Sequence, residues 1–307
     1  MDGFVEVARD VAFMRCAMVN VAAIGNGSRW ILIDAALPGY GPAIRRAAEA
    51  RFGAVAPAAV ILTHGHFDHV GSLEDLLSVW NVPVYAHRLE MPYITGKSPY
   101  PPPDPMVGRG AMAILSRLYP RGPIDLGARV RTLTPDAVPG ADEWRWIHTP
   151  GHTPGHISLF RESDRTLLSA DALITTKQES VLSVLAQRRE LHGPPAYFTQ
   201  DWDRARDSVR ALARLAPELL VAGHGQPWGG ADMRRELESL ARRFDEVERP
   251  RFGRYAKQPA IADETGVVML PPDPLPAVLA GAGAMIAAAG IVWATTRSSR
   301  LGVGSRR

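Results

Sequence analysis

The sequence predicts a mixed α/β fold in which sheets pack inside and helices cover them. Three observations lead there. Short apolar, β-rich runs crowd the first half of the chain, helical periods crowd the second, and strand and helix signals alternate along its length. Of the 307 residues, 46% are hydrophobic, enough for one large core or two smaller ones. Only 22% are charged, which excludes a disordered chain.

Taken in order, residues 4–8 and 16–24 are predicted strands. Gly25-Asn26-Gly27 is a hairpin signal, because such turns need positive φ. Residues 29–34 form a buried strand ending in an acid, and 42–50 a helix. Residues 58–63, bounded by Pro57 and a histidine-rich segment, form a short buried strand. A helix over 72–80 spaces Leu73, Leu76, Leu77 and Trp80 along one face, and a strand follows at 82–86. Residues 88–125 change character. The prolines of 99–105 exclude regular helix or sheet interior, and 108–118 can form a helix. This stretch has the character of an insertion that covers an active site, or of a surface loop with no role. Strands return at 129–133, 144–148, 157–160 and 166–170. Helices follow at 181–191, 201–215 and 232–247, with a strand at 218–222 between the last two. The division expected is a catalytic domain over 1–249, a Pro-rich linker over 250–276, a hydrophobic helix over 277–296 and a basic tail over 297–307.

The net charge of +3 comes from arginines scattered along the chain and gathered at its end. No Lys/Arg run alternates with aromatics, so nucleic acid is not an expected partner. The single cysteine, Cys16, excludes an internal disulfide and reads as a small core residue. The first residues lack the layout of a signal peptide, so the catalytic part is expected in the cytoplasm. The segment 277–296 is uncharged and about long enough to span a membrane. Trp293 and Arg297 suit an interface, and Gly281, Gly283 and Gly290 suit close helix packing. The arginines beyond it, Arg297, Arg300, Arg306 and Arg307, prefer the cytoplasm; a single span would then put the enzyme outside. Membrane association and a helix packed on the enzyme or at an oligomer interface are therefore both open.

The chemistry lies in four places. Thr63-His64-Gly65-His66-Phe67-Asp68-His69 sets three imidazoles and a carboxylate just past a buried strand. His64 and His66 can point the same way, and Asp68 and His69 can face a neighbouring position. These are ligand types that suit zinc. Thr149-Pro150-Gly151-His152-Thr153-Pro154-Gly155-His156 follows a second strand, Asp171 a third and His224 a fourth. Polar residues at strand ends converge without being buried unpaired.

This pattern resembles the metallo-β-lactamase superfamily from about Val19 to Trp228, with all its ligand motifs in order. The resemblance implies a four-layer αβ/βα sandwich with metals at one edge of two sheets. It implies that His64, His66 and His152 bind a first metal, that Asp68, His69 and His224 bind a second, and that Asp171 bridges them. Asp34 and His156 are expected to support ligands or shape loops. The implied cofactor is two zinc ions per chain, with iron an alternative, and the implied reaction is hydrolysis by a metal-bridging hydroxide that Asp68 helps to orient. An Asp rather than a Cys at the bridging position argues against a β-lactam. The Leu173-Ile174-Thr175-Thr176-Lys177 run holds no Tyr, which weakens a lactonase reading. The TPGHTPGH segment is similar to that of glyoxalase II-like thioesterases. The expected activity is cleavage of an ester, thioester or lactone of a small molecule. A mononuclear-iron sulfur dioxygenase and a phosphodiesterase are the alternatives.

Overall fold

The computed structural model describes residues 3–108 and 110–276. In the first sheet, β1 (Val5–Ala8), β2 (Val11–Cys16), β3 (Val19–Asn26) and β4 (Arg29–Ile33) form an antiparallel meander. β5 (Val60–Ile61), β6 (Val84–Ala86) and β7 (Val130–Thr132) extend it in parallel. The second sheet contains β8 (Trp144–His148), β9 (Ile157–Arg161), β10 (Thr166–Ala170), β11 (Leu219–Ala222) and β12 (Trp228–Gly229), paired in that order. Only β10 and β11 run parallel within it. The helices are α1 (Gly41–Phe52), α2 (Phe67–Val70), α3 (Leu73–Leu77), α4 (Met91–Ile94), α5 (Ala111–Leu115), α6 (Val181–Ala186), α7 (Trp202–Arg214) and α8 (Ala231–Val247).

The layering follows from strands that are apolar on both faces. In β4, Trp30 and Leu32 pack outward with Ile44 and Ala48 of α1 and Leu73 of α3. Ile31 and Ile33 of the same strand pack inward against Ile157 and Leu159 of β9 and Leu168 of β10. The far face of the second sheet, with Leu167 and Leu220, is covered by Val209 and Leu212 of α7 and by Leu237 and Phe244 of α8. Side-chain alternation along each strand thus divides the apolar residues among three clusters and yields an αβ/βα sandwich. Asp201 caps α7 by accepting the Arg204 N–H at 3.0 Å.

Several expectations are corrected. The run 16–24 is not one strand. Cys16 ends β2, Ala17 turns at φ 57°, and β3 starts at Val19. Because this hairpin turns on Ala-Met, no Gly, Asn or Pro marks it. The helix expected over 181–191 stops at Ala186, where Gln187 enters the left-handed region at φ 51°. The stretch 108–118 yields only α5 and a following 3-10 turn, Ser116–Leu118. Within 250–276, β13 (Ile261–Asp263) and β14 (Gly266–Met269) pair as a ribbon. Met1–Pro271 forms one compact unit, and of the second, Pro272–Arg307, only residues 272–276 are described. The hydrophobic segment 277–296 and the basic tail 297–307 lie outside the described residues. Among the described residues no helix is long and apolar enough to cross a membrane.

Candidate metal centre

All the ligand-type residues lie at one edge of the sandwich, beyond strand ends. Asp34 follows β4 in the left-handed conformation (φ 61°). His64 follows β5, and Asp68 and His69 lie in α2. His152 sits in the loop between β8 and β9; Asp171 follows β10 and His224 follows β11. The two sheets are tied at this edge. The Ile157 N–H donates to the Thr63 carbonyl at 3.0 Å, and the Asn20 N–H to the Gly223 carbonyl at 2.7 Å. The Asn20 side-chain amide also donates to the carbonyls of Ala222 and Gly225, holding the loop that carries His224.

Three triplets bring their ligand atoms within 4.8 Å of one another: His64, His66 and His152; Asp68, His69 and His224; and His64, His69 and Asp171. His66 Nδ1 and His152 Nε2 are 3.0 Å apart. Asp171 lies between the first two triplets. Its Oδ2 is 3.4 Å from His152 Nε2 and 3.2 Å from His224 Nε2, and its Oδ1 is 3.4 Å from His69 Nε2. His224 Nε2 is 3.7 Å from Asp68 Oδ2.

The far side of three rings, His64, His69 and His224, is fixed by a neighbour. Asp34 Oδ2 accepts from His69 Nδ1 at 2.8 Å and from the Thr63 hydroxyl at 2.7 Å, while Oδ1 accepts the Thr63 N–H at 2.8 Å. His224 Nδ1 donates to the Met18 carbonyl at 2.7 Å. Thr63 Oγ1 sits 3.1 Å from His64 Nδ1. These contacts aim the Nε2 atoms of His64, His69 and His224 inward. His156 does not join the triplets. Its Nε2 accepts the Asp171 N–H at 3.0 Å, and its Nδ1 meets the Thr149 hydroxyl at 2.9 Å. His87 lies apart from the triplets and stacks on His148 at 4.3 Å, ring to ring.

The residues fit a cation. Nε2 of His64, His66 and His69, Nδ1 of His152 and Oδ1 of Asp171 are buried and lack a hydrogen-bond partner among the described residues. A buried polar atom left unpaired costs about 1–3 kcal/mol, and a divalent ion that accepts nitrogen and carboxylate lone pairs removes that cost. Burial, reinforced by the neighbouring imidazoles, holds His64 and His152 well below the usual histidine range, and His66 at about 3. These rings are therefore neutral and able to donate lone pairs. Burial also penalises charge on His69 and His224, but Asp171, with Asp34 beside His69, raises both. Burial pushes the Asp171 carboxyl up, yet His224 and His69 hold it well below the usual carboxylate range.

One element of the centre has no sequence signal. Glu90, inside the 88–125 stretch, is fully buried. It accepts the Gly65 N–H at 3.1 Å, the Gly155 N–H at 2.7 Å, the Thr153 hydroxyl at 2.7 Å and the Tyr100 hydroxyl. One carboxylate thus joins the loop of His64 and His66 to the loop of His152. Nothing in a Pro-rich stretch distinguishes such a glutamate from a surface one.

Residues 14–224 match the family model described as the metallo-β-lactamase superfamily. The chain is 48% identical over 247 residues to the "Probable metallo-hydrolase YflN" of Bacillus subtilis, covering 79% of this chain and 94% of that protein. It is 28% identical over 212 residues to a hydroxyacylglutathione hydrolase of Acidiphilium cryptum, covering 67% and 68%. Among solved structures, a β-lactamase domain protein from Burkholderia ambifaria superposes with a TM-score of 0.54 at 20% identity, covering 79% of this chain and 76% of that one.

Proposed function

The chain belongs to the metallo-β-lactamase superfamily and is a metallo-hydrolase, and from that premise we propose that it uses a dinuclear, zinc-type centre to cleave an ester, thioester or lactone of a small molecule. The observation that carries this reading is the set of buried, partnerless nitrogen and oxygen atoms converging in the His64, His66, His152 and Asp68, His69, His224 triplets. In it, His64, His66 and His152 hold one metal, Asp68, His69 and His224 hold the other, and Asp171 lies between them. Metals so held would lower the pKa of an attacking water and polarise the carbonyl.

The chain's own residues do the rest. Asp34 fixes His69, and the Met18 carbonyl fixes His224, so that both Nε2 atoms face inward. His156 fixes the backbone at Asp171. Asp68 is 8% exposed, against 2% or less for the other six, so it faces the open side. There its carboxylate orients the attacking water and holds its proton. Phe198 stacks on His66 at 4.5 Å and keeps bulk water from that flank. The relation to a hydroxyacylglutathione hydrolase supports an acyl substrate. Convergence of Asp68, His69 and His224 favours two metals over the single iron of a sulfur dioxygenase.

The test is metal analysis of protein purified without added metal, with a panel of thioester, lactone, β-lactam and phosphodiester substrates. Two zinc per chain with thioester, ester or lactone turnover is expected, and Asp171→Ala should lose metal and activity together. One iron with oxygen uptake on a persulfide overturns the hydrolytic reading. Near-normal turnover of Asp171→Ala with two metals bound overturns the bridging role.

A further inference from the structure

Two short helices flank the candidate centre, and both turn apolar side chains to solvent. On α5 and the 3-10 turn that follows, Ile114 is 70% and Leu118 79% exposed. On α6, which buries no residue, Leu182 is 79% and Leu185 75% exposed. These pairs recur at i, i+4 and i, i+3, so each helix presents one apolar ridge. The Met112 N–H donates to the Glu179 carbonyl at 3.2 Å, which brings the start of α5 to the start of α6.

Both helices are fastened to the loops of the centre. Tyr119, next to Leu118, lies 5.8 Å from Phe67 and 6.0 Å from Phe198, ring to ring, and Phe198 stacks on His66. On the other side, Thr175 Oγ1 donates to the His224 carbonyl, and the Thr176 hydroxyl donates to the Ser183 carbonyl inside α6. Phe198 is buried beneath these rings, whereas Phe67, next to Asp68, and Tyr119, next to Leu118, are half-buried and carry apolar surface from the edge of the centre toward that rim.

We infer that this rim takes the apolar tail of the substrate, so that the centre prefers acyl groups with extended hydrocarbon chains over short or polar ones. The inference rests on the hydrolytic reading above and specifies its substrate class. Continuity with the residues around His66 and His224 selects the substrate's own tail as the occupant, in preference to a second copy of the chain or a lipid surface. An exposed apolar ridge fixed beside a reaction centre gains its contacts when a substrate is seated there.

The test uses the metal-loaded full chain with p-nitrophenyl esters and N-acetylcysteamine thioesters of acetic, butyric, hexanoic and octanoic acids, below micellar concentrations. The expected kcat/KM rises on the order of two- to fourfold per methylene, the upper figure corresponding to full burial of a CH2. The double variant Leu118→Ser, Leu182→Ser should reduce the octanoyl-to-acetyl ratio about tenfold, the loss of roughly 1.4 kcal/mol of contact. Val79→Ser, an exposed apolar position on the first sheet's helical layer, should leave the ratio unchanged. Turnover with a flat chain-length series sinks the inference alone. So does an unchanged ratio in the double variant. No turnover of any ester or thioester sinks the carbonyl-hydrolase reading and this inference with it.

Discussion

Replacing Glu90 tests whether the geometry of the centre is set from outside it. The carboxylate receives four donors, two of them N–H groups of glycines in the ligand loops. Those glycines make room for it. A Cβ on Gly155 would lie 2.8 Å from Glu90 Cγ, and one on Gly65 would lie 2.6 Å from Ile94 Cγ2 and 2.8 Å from the Tyr100 hydroxyl. In Glu90→Ala the Gly65 N–H keeps the Tyr100 oxygen, at 2.8 Å. The Gly155 N–H, the Thr153 hydroxyl and the Tyr100 hydroxyl lose their acceptor. At about 1–3 kcal/mol for each of these three buried donors left unpaired, the loss is at least about 3 kcal/mol. For a unit of this size that is a fall of roughly 10 °C in Tm. Glu90→Gln keeps the shape but sets an NH2 against two donors, and should stay folded. Its expected signature is weaker metal binding, on the order of tenfold, as the His64–His66 loop and the His152 loop drift apart. Thermal unfolding together with zinc competition against a chromophoric chelator reads both effects. A Glu90→Gln protein with lowered Tm and wild-type zinc affinity would show that the clamp holds the fold without tuning the site, and the reasoning would be refuted.

Two further outcomes concern residues away from the centre. Cys16 is fully buried, and burial pushes its thiol up to about 12, so a thiol reagent such as DTNB should react only at the rate of unfolding; rapid labelling of native protein would mean that the β2–β3 hairpin opens. His192 is partly desolvated, but Glu248, 3.0 Å from its Nδ1, raises its pKa above the ordinary value. A raised folded pKa stabilises fully below the unfolded value of about 6.5, and that stabilisation is lost as pH rises through the folded value. The advantage of wild type over His192→Gln in urea unfolding, on the order of 1 kcal/mol, should therefore shrink from about pH 6 to pH 9; a constant difference contradicts the ion pair.

The ligand-type residues stood out in the sequence because Asp34, Asp171 and His224 come within two residues of an apolar strand end and His64, His66, Asp68 and His69 crowd into six positions. The layer order was legible in strands such as β4, whose RWILI run is apolar on both faces and so must be covered on both. What escaped was set by contacts distant in sequence. Asn20 lies in an ordinary strand, yet its amide reaches carbonyls about two hundred residues away. Glu90 sits where proline content suggests only irregular chain. The end of α6 depends on one left-handed glutamine, and the turn after Cys16 on a left-handed alanine. Neither residue type announces that conformation, because alanine and glutamine rarely adopt it.

The charge pattern of the centre explains why its two halves differ. Asp34, Asp68 and Asp171 carry three formal negative charges within a buried cluster. The His64, His66, His152 half cannot neutralise them, because burial and mutual repulsion keep those rings uncharged. Without a metal the balance falls to protons on His69 and His224, whose pKa values the acids raise, and to Asp68, whose carboxyl burial pushes up. A proton on Nε2 and a metal on Nε2 exclude each other, so the atoms that stabilise the empty cluster are those a cation claims. Two divalent ions held as proposed would set four positive charges against those three carboxylates, and the attacking hydroxide would bring the centre to neutrality. Cations so held would stabilise the negative charge that develops on a carbonyl oxygen under attack, whereas the three carboxylates alone would repel it. The same residues that make the unloaded cluster costly would thus let a loaded one stabilise such a transition state.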